Sequence, residues 1–292
     1  MNSYKRLDLI YKNALRYDIT NDSRLVLFSD VHRGVGNAGD DFSQNQNLFF
    51  HAISEYYRKG YTYVELGDGD ELWENRSMRD IVAEHSHVFW MLKRFFDENR
   101  LIMLYGNHDI VKRSPRWLAK NYYHCYNERL GREEKLFDGI KVYEGLLLAC
   151  NGAEALLLHG HQVDTLNSTL WRLARFLVRY LWRPLELVGI KDPSSARNNN
   201  KLRGTVEERL HDWAADKGRV VVAGHTHRPV FSRDQKTYFN DGSAVHPRCI
   251  TAIELNGGAA ALVKWSVMTR ADGVMYIGRE VLDDGCWDCI FA

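Results

Sequence analysis

Five short apolar segments constrain the fold of this chain more than any other feature, because each reads as a strand that ends abruptly in polar residues. A helical stretch over about Met78–Asn99 separates the second segment from the third. Strands that alternate with helices favour an α/β fold. The five segments are Leu25–Ser29, Tyr63–Leu66, Leu101–Tyr105, Ala155–Leu158 and Val220–Ala223.

The residues that follow these segments are carboxylates, an asparagine and histidines. In an open α/β sheet the ligand crevice lies outside the carboxyl ends of the strands, so we expect these side chains to converge. Each short motif also occurs alone in turns and loops, but their order and shared placement at strand ends indicate a functional site. In chain order they are Asp30 and His32; Asp68, Asp70 and Glu71; Asn107, His108 and Asp109; His159 and His161; and His225 and His227.

These residue types indicate a centre of two divalent metal ions. Carboxylates, an amide oxygen and imidazoles suit manganese, iron, cobalt, nickel or zinc, and not calcium or a zinc site of four cysteines. They are too many for one ion, but two ions about 3.5–4 Å apart that share a carboxylate would use them all. Such a pair deprotonates a bridging water and clamps a phosphoryl group for in-line attack. Gly67, Gly106 and Gly224 precede three of the candidate ligands and fit tight turns.

The last third of the chain reads as successive strands broken by glycines. The segments "KTYFNDGSAV", "CITAIEL", "AALVKWSVM" and "GVMYIGREVL" alternate in polarity and suggest hairpins. They imply a second sheet, or a mixed sheet, packed on the first. We expect a single domain over residues 1–292, with a basic helical insertion over about 162–216.

Composition narrows the class of partner. The net charge is +1, so the chain has no global basic field and we expect no stable nucleic-acid binding. No apolar run approaches the length needed to span a bilayer, and the first residues lack the apolar core of a signal peptide. We therefore expect a cytoplasmic protein, with peripheral contact at the inner membrane surface as an option.

The five cysteines are scattered and odd in number, which argues against a secreted disulfide framework. Cys286 and Cys289 form a single Cys-x-x-Cys pair near the end of the chain. Because no second pair and no histidine lie nearby, we expect two free thiols there.

The ordered motifs resemble those of the calcineurin-like metallophosphoesterase superfamily over about residues 24–245. The resemblance implies a sandwich of two mixed β-sheets flanked by helices, with a two-metal site at the strand ends. The matching motifs are Asp30-Val-His32, Gly67-Asp68, Gly106-Asn107-His108-Asp109, His159 and Gly224-His225-Thr-His227.

The resemblance also implies a role for each residue. Asp68 resembles the bridging carboxylate, and His108 resembles the catalytic histidine that stabilises phosphoryl oxygens or protonates the leaving group. Glu71 lies where some members carry an acid that orients this histidine, and such a carboxylate would raise its pKa and keep it protonated. The implied ligands are Asp30, His32 and His227 for the first metal, and Asn107, His159 and His225 for the second.

Three further residues near the motifs have no fixed role. For Asp70 and Asp109 we favour a structural role, such as a helix cap or support behind the ligands. His161 is either a contact to substrate or a plain loop histidine. "NDGS" at 240–243 resembles a late turn of the family and also reads as a simple turn.

Among branches of the superfamily, the UDP-2,3-diacylglucosamine pyrophosphatases are the nearest, through "GDGDELW", the His-Gly segment and "GHTHRP". Asp-Gly-Asp-Glu after Gly67 differs from the pattern of Ser/Thr protein phosphatases. That pyrophosphatase branch typically carries Arg at the position of His108 and Asp at that of His161, so its substrate does not transfer directly.

The insertion between His161 and His225 concentrates positive charge beside the expected site. Residues 162–204 contain eight Lys and Arg against three Asp and Glu, a net charge of +5. On a helical wheel four arginines share one face, opposite Leu170, Ala174, Leu177 and Leu181. One interpretation is a packed helix with its arginines in solvent. The other is a lid that binds phosphates or lipid headgroups, with Trp171, Phe176, Tyr180 and Trp182 against acyl chains or the membrane surface. The arginines are Arg172, Arg175, Arg179 and Arg183, and the first three, with His161, are our candidate substrate-binding residues.

Together these features predict a phosphoesterase that uses two divalent metal ions. We expect manganese, with iron or zinc as alternatives. We expect it to hydrolyse a phosphodiester or pyrophosphate bond in a small substrate such as a nucleotide or nucleotide-lipid. A phosphomonoesterase is one alternative, and a catalytically silent metal-binding scaffold is another.

Overall fold

A computed structural model describes residues 3–127, 130–150, 152–164, 171–182, 200–231 and 237–286. The helices are α1 (Ser3–Asn13), α2 (Gln46–Arg58), α3 (Met78–Glu84), α4 (Ser86–Asp97), α5 (Pro115–Asn121), α6 (Trp171–Leu177) and α7 (Asn200–Lys217). Single turns of 3-10 helix cover Ile110–Arg113 and His161–Val163, and a π-helical turn, Val178–Trp182, follows α6.

The strands fall into two large sheets and one hairpin. They are β1 (Leu15–Asp18), β2 (Arg24–Phe28), β3 (Thr62–Glu65), β4 (Leu101–Leu104), β5 (His124–Asn127), β6 (Arg132–Lys135), β7 (Val142–Tyr143), β8 (Gly145–Cys150), β9 (Ala153–Leu158), β10 (Val220–Ala223), β11 (Val230–Phe231), β12 (Tyr238–Asn240), β13 (Cys249–Asn256), β14 (Ala259–Thr269) and β15 (Met275–Cys286).

Both large sheets are mixed. One sheet has the order β15-β14-β13-β2-β3-β4-β7, with β2, β3 and β4 parallel and β13 to β15 antiparallel. The other has the order β1-β8-β9-β10-β12-β11, in which β9, β10 and β12 are parallel. The predicted C-terminal strands divide between these two sheets, which agrees with the predicted mixed sheet and not with the alternative of a separate second sheet.

Three apolar layers hold the sandwich together. Leu27 and Val64 of the first sheet face Leu157 and Val222 of the second across the central layer. Helices α2 and α4 cover the outer face of the seven-stranded sheet, and α1 and α7 cover the outer face of the six-stranded sheet. The predicted fold, a sandwich of two mixed sheets flanked by helices, is confirmed.

The helical stretch predicted over Met78–Asn99 is in fact two helices. His85 ends α3 and precedes α4 with non-helical backbone angles, φ −104° and ψ 32°. Its buried ring contacts Asp40, with Nε2 2.9 Å from the carboxylate. This tertiary contact, which sequence periodicity does not report, accompanies the break.

The predicted insertion has two described parts with different surroundings. Helix α7 packs Val206, Leu210 and Trp213 into the core against the six-stranded sheet. Helix α6 and its π-helical turn lie beside the loop after β3, where Nε of Arg179 donates to the carbonyl oxygen of Trp73 at 2.7 Å. The side chain of Arg172 and residues 165–170 and 183–199, which include Arg183, lie outside the described part of the chain.

The expectation of two free thiols at the end of the chain is wrong for Cys286, which is disulfide-bonded. Cys289 lies outside the described residues. Cys125, Cys150 and Cys249 are free. Among the described helices, none has both the length and the apolar character needed to cross a membrane.

Candidate metal centre

The predicted strand ends do meet at one edge of the sandwich. Asp30, Asp68 and Asn107 come just after β2, β3 and β4 of the seven-stranded sheet, and His159 and His225 come just after β9 and β10 of the other sheet. The two sheets therefore present their candidate ligands to one another, as expected for the carboxyl ends of parallel strands.

The backbone is bent sharply at these positions. In the described part of the chain seven residues other than glycine have positive φ, and five of them are candidate ligands. Positive φ is costly for side chains of this kind and persists where the surroundings enforce it, often at functional sites. The strain thus coincides with the centre that the motifs predict. The five are Asp30, His32, Asp68, His225 and His227, with φ between 50° and 67°.

The glycines that precede the ligands leave room for them. A Cβ on Gly106 would lie 2.1 Å from Oδ1 of Asp68, and a Cβ on Gly224 would lie 2.6 Å from Oδ2 of Asp30. Gly67 has φ +103°, which side chains rarely adopt. A side chain at any of these three glycines would therefore clash with its neighbours or strain the turn.

The first candidate ligand group consists of Asp30, His32 and His227, whose ligand atoms lie within 4.8 Å of one another. Oδ1 of Asp30 is 3.1 Å from Nε2 of His227 and 3.7 Å from Nε2 of His32. The other oxygen of Asp30 accepts a hydrogen bond from the backbone N–H of His225 at 2.8 Å. One oxygen of Asp30 is thereby directed to the imidazoles while the other is fixed by the backbone.

The second candidate group consists of Asp68, His159 and His225. Oδ2 of Asp68 lies 3.0 Å from Nε2 of His159 and 3.9 Å from Nε2 of His32 in the first group. Asp68 therefore lies between the two groups, where the resemblance places the bridging carboxylate.

The polar atoms at this centre fit divalent cations. Four buried atoms here lack a well-aligned hydrogen bond, namely Oδ1 of Asp30, Nε2 of His32, Oδ1 of Asn107 and Nε2 of His159. Oδ1 of Asp30 and Nε2 of His159 still have close ion-pair contacts within the centre, with His227 and Asp68. Buried polar atoms whose hydrogen bonds are missing or poorly aligned are costly, so a bound cation would suit this group of atoms. The far ring nitrogens of both histidines are already engaged, since Nδ1 of His159 donates to the carbonyl oxygen of Leu66 and Nδ1 of His32 contacts Glu71. That arrangement turns each Nε2 toward the centre, as in carboxylate–histidine–metal sites.

His108 and Glu71 form a pair beside the centre. Nδ1 of His108 lies 2.7 Å from Oε2 of Glu71, and the backbone N–H of His108 donates to Oδ1 of Asp68 at 2.8 Å. Burial lowers the pKa of His108, but the carboxylates of Glu71 and Asp68 outweigh it, so the pKa lies above its ordinary value. The same Oε2 lies 2.8 Å from Nδ1 of His32, a contact that the sequence did not indicate.

The indole of Trp73 stacks on His108, with ring centroids 4.3 Å apart and planes 21° from parallel. Trp73 is 2% exposed. Sequence reasoning missed this residue, although it stands two positions after Glu71 in "GDGDELW".

Asp70 and Asp109 belong to a fully buried cluster of charges behind the site. Nζ of Lys112 lies 2.7 Å from a carboxylate oxygen of each, and Asp70 also contacts Nε of Arg33 at 2.7 Å. Asp109 accepts hydrogen bonds from the backbone N–H groups of Gly69 and Gly106, so it ties together the loops after β3 and β4. These contacts support the structural role predicted for both aspartates.

Other polar residues lie around the second group. His161 is fully buried, with its ring centroid 5.5 Å from that of His159, and neither of its ring nitrogens makes a hydrogen bond. Oδ2 of Asp164 lies 3.4 Å from Nε2 of His225, a contact that sequence reasoning missed. The hydroxyl of Ser29 lies within hydrogen-bond distance of Asp30 and of Asp241 from the "NDGS" turn.

The candidate substrate-binding arginines lie near the loop after β3 and on α6. Arg179 donates from Nε to Trp73 and from Nη2 to the carbonyl oxygen of Leu72 at 2.9 Å. The guanidinium of Arg175 lies over the ring of Trp171, 5.0 Å from its centroid. Nothing is described for the side chain of Arg172.

The two-sheet sandwich thus brings together three overlapping carboxylate–imidazole groups that could hold metal ions: Asp30, His32 and His227; His32, Glu71 and His108; and Asp68, His159 and His225. The model of one protein family, calcineurin-like phosphoesterase, matches residues 23–229. Because that match spans most of the chain, the protein belongs to this family.

Matches to solved structures are distant. A conserved uncharacterized protein from Streptococcus pneumoniae TIGR4, described as a predicted phosphoesterase, is 13% identical, with a TM-score of 0.35 over 89% of this chain and 97% of its own. Vps29 from Chaetomium thermophilum is 10% identical, with a TM-score of 0.42 over 91% of this chain and 97% of its own. A search of curated proteins finds no match.

Proposed function

We propose that this protein is a dinuclear metal-dependent phosphoesterase that hydrolyses a phosphodiester or pyrophosphate bond. The observation that carries the proposal is the position of Asp68 between two candidate ligand groups, with the His108–Glu71 pair directly beside it. A purely structural metal site would need no such acid–base pair. It would also be expected to close its ligands around one ion.

The residues present would hold two ions in distinct places. Asp30, His32 and His227 would bind one, and Asn107, His159 and His225 the other, with Asp68 shared. When bound, divalent ions lower the pKa of water and neutralise charge on a phosphoryl group. We propose manganese as the native metal, with iron or zinc as alternatives, because all three accept this mixture of oxygen and nitrogen ligands.

His108 would act on the substrate. Glu71 occupies Nδ1 of its imidazole, which leaves Nε2 for a phosphoryl oxygen or the leaving oxygen. The side chain of His108 is 21% exposed, so a ligand can reach it, whereas Glu71 behind it is 8% exposed. As the bond between phosphorus and the leaving oxygen breaks, Nε2–H would give its proton to that oxygen, and solvent would reprotonate the neutral imidazole.

The substrate class follows from charge. The sequence of residues 162–204 carries a net charge of +5, and the whole chain carries only +1; among the described residues of this segment, Arg179 contacts the loop that carries Glu71 and Trp73. A small anionic substrate such as a nucleotide or nucleotide-lipid suits this local field better than a long nucleic acid, whose binding needs an extended basic surface. Peripheral membrane contact and a cytoplasmic location stay predictions from the sequence.

The test is hydrolysis of bis(p-nitrophenyl) phosphate and of p-nitrophenyl phosphate by the purified protein, with added Mn²⁺ and with EDTA. The proposal predicts metal-dependent cleavage of the diester that EDTA abolishes. Cleavage of the monoester alone would replace the diesterase by a phosphomonoesterase. Absence of turnover with Mn²⁺, Fe²⁺ or Zn²⁺ would contradict the enzymatic function and favour a silent metal-binding scaffold.

A further inference from the structure

Trp73 contacts both members of the acid–base pair. Its indole stacks on His108, and its backbone N–H donates to Oε1 of Glu71 at 3.1 Å. We propose that Trp73 is a positioning residue for His108, and that Arg179 of the α6 segment holds Trp73 in place. The inference rests on the proposed function, since it assigns Trp73 a part in the proton transfer to the leaving group.

The stack supplies a constraint that the hydrogen bond lacks. A single contact between Nδ1 of His108 and Glu71 fixes one end of the imidazole but leaves rotation about the line that joins the two atoms. A nearly parallel indole 4.3 Å away fixes the plane of the ring and therefore the direction of Nε2. Proton transfer depends on this direction, because misalignment of a reacting group by a fraction of an ångström costs rate.

Trp73 is itself held on several sides. Its ring is almost fully buried. Arg179 donates from Nε to its carbonyl oxygen at 2.7 Å and from Nη2 to the preceding carbonyl oxygen, of Leu72, at 2.9 Å. A planar guanidinium that binds two successive carbonyl oxygens fixes the course of the backbone between them. The segment that follows α6 therefore supports the loop that carries Glu71 and Trp73.

This role for Arg179 differs measurably from substrate binding. An arginine that contacts the substrate in the ground state changes KM when it is removed. An arginine that positions Trp73 changes kcat, and does so most for leaving groups that need a proton. The two hypotheses for the same residue thus predict opposite splits between KM and kcat.

The experiment compares Trp73→Phe, Trp73→Leu and Arg179→Gln in the Mn²⁺-loaded protein. The substrates are phosphodiesters with a fixed aryl group and a leaving group that ranges from p-nitrophenol to a simple alcohol. We expect Trp73→Leu to lower kcat about 100-fold for the substrate whose leaving group is the alcohol and less than about 10-fold for the substrate that releases p-nitrophenol. KM should stay within about twofold of the wild-type value. Trp73→Phe keeps an aromatic face and should retain most of the activity. Arg179→Gln should lower kcat with the same dependence on the leaving group as Trp73→Leu, but by a smaller factor.

Arg58→Gln, an exposed change on α2, serves as the matched control for Arg179→Gln. The positioning role of Trp73 would be overturned if a Trp73 variant lost the same factor in kcat with all leaving groups. It would also be overturned if Trp73→Phe and Trp73→Leu lost the same factor in kcat. A rise in KM with unchanged kcat in Arg179→Gln would overturn the role of Arg179. If Trp73→Leu does not fold, the dependence of kcat on the leaving group in Trp73→Phe and in Arg179→Gln still tests the proposal. An inactive wild-type protein would refute the proposed function itself. An active wild type whose variants lose the same activity with every leaving group would refute only the role of Trp73.

Discussion

Oε2 of Glu71 lies 2.8 Å from Nδ1 of His32, a candidate metal ligand. The same oxygen lies 2.7 Å from Nδ1 of His108. One buried carboxylate therefore orients an imidazole of the metal centre and the imidazole proposed to protonate the leaving group. Under the proposed function, Glu71 would couple metal binding to proton transfer, a link that neither motif reveals alone.

Replacement of Glu71 by Gln should affect both functions at once. Loss of a carboxylate behind a metal-binding histidine commonly costs 10–100-fold in metal affinity or activity, so we expect Mn²⁺ affinity to fall about 10-fold or more. At saturating Mn²⁺, kcat should still be low because His108 loses its charged partner. Isothermal titration calorimetry and steady-state kinetics measure the two effects, with the exposed change Glu98→Gln as control. A fall in kcat with unchanged Mn²⁺ affinity would show that Glu71 serves His108 alone.

Gly106→Ala should disturb the centre through space. The new Cβ would lie 2.1 Å from Oδ1 of Asp68 and 2.6 Å from its backbone nitrogen, so Asp68 must move. We expect loss of metal binding and of activity with a folded protein. Gly204→Ala in α7 is the control: a Cβ there meets nothing within 4 Å, and helix propensity should stabilise the protein by about 0.5–1 kcal/mol. Wild-type Mn²⁺ stoichiometry in Gly106→Ala would refute the close approach.

Lys112→Met should be strongly destabilising. Although burial lowers the pKa of Lys112, the carboxylates of Asp109 and Asp70 raise it well above its ordinary value, so the group is charged. Removing it leaves the buried carboxylate of Asp109 without its cationic partner, while Asp70 keeps Arg33, and breaking a buried pair in this way costs about 3–5 kcal/mol. The control is Lys93→Met, which breaks a surface pair with Asp97 and should cost less than about 1 kcal/mol. Urea unfolding measures the loss of unfolding free energy in each variant. Equal losses would show that the buried cluster stabilises the protein no more than the surface pair does.

Asp40 should make stability depend on acid pH. Burial raises the pKa of this carboxyl, but hydrogen bonds from His85 and the backbone of Gly36 bring it below its ordinary value of 3.8. A group whose pKa is lower in the folded state stabilises the protein above its unfolded pKa, and this contribution disappears as the pH falls through the folded pKa. The difference in unfolding free energy between wild type and Asp40→Asn should therefore be constant near pH 6 and shrink below about pH 4. A difference that stays constant down to pH 3 would contradict the assignment.

The strand ends and the sandwich were predictable from the sequence because apolar segments and the polar residues after them lie close together in the chain. The positions of Asp30, Asp68 and His225 follow from this local pattern, and so do the glycines before two of them. The contact between Glu71 and His32 was not predictable. It joins two loops 39 positions apart, and their relative placement depends on the packed sheet.

The burial of two cationic side chains was also not predictable from the sequence. Arg33 and Lys112 read as surface residues, since both types are rarely fully buried, yet each is 0% exposed because carboxylates surround it. For α6 and the π-helical turn after it, one interpretation of the helical wheel placed the arginines in solvent, and the other placed aromatic side chains at an exposed surface. The described residues there leave Leu173 and Phe176 more than half exposed, while Arg179 contacts backbone carbonyls. Tertiary contacts decide both cases.

Under the proposed function, hydrolysis requires two metal ions that bind around Asp68. The variant that addresses this requirement is Asp68→Asn, and Asp18→Asn, which changes an exposed side chain, is its control. We would measure bound Mn²⁺ per chain together with the rate of bis(p-nitrophenyl) phosphate hydrolysis. We expect two bound ions and metal-dependent turnover in the wild type and the control, and loss of at least one ion and of turnover in folded Asp68→Asn. Full activity with two bound ions in Asp68→Asn would contradict this requirement.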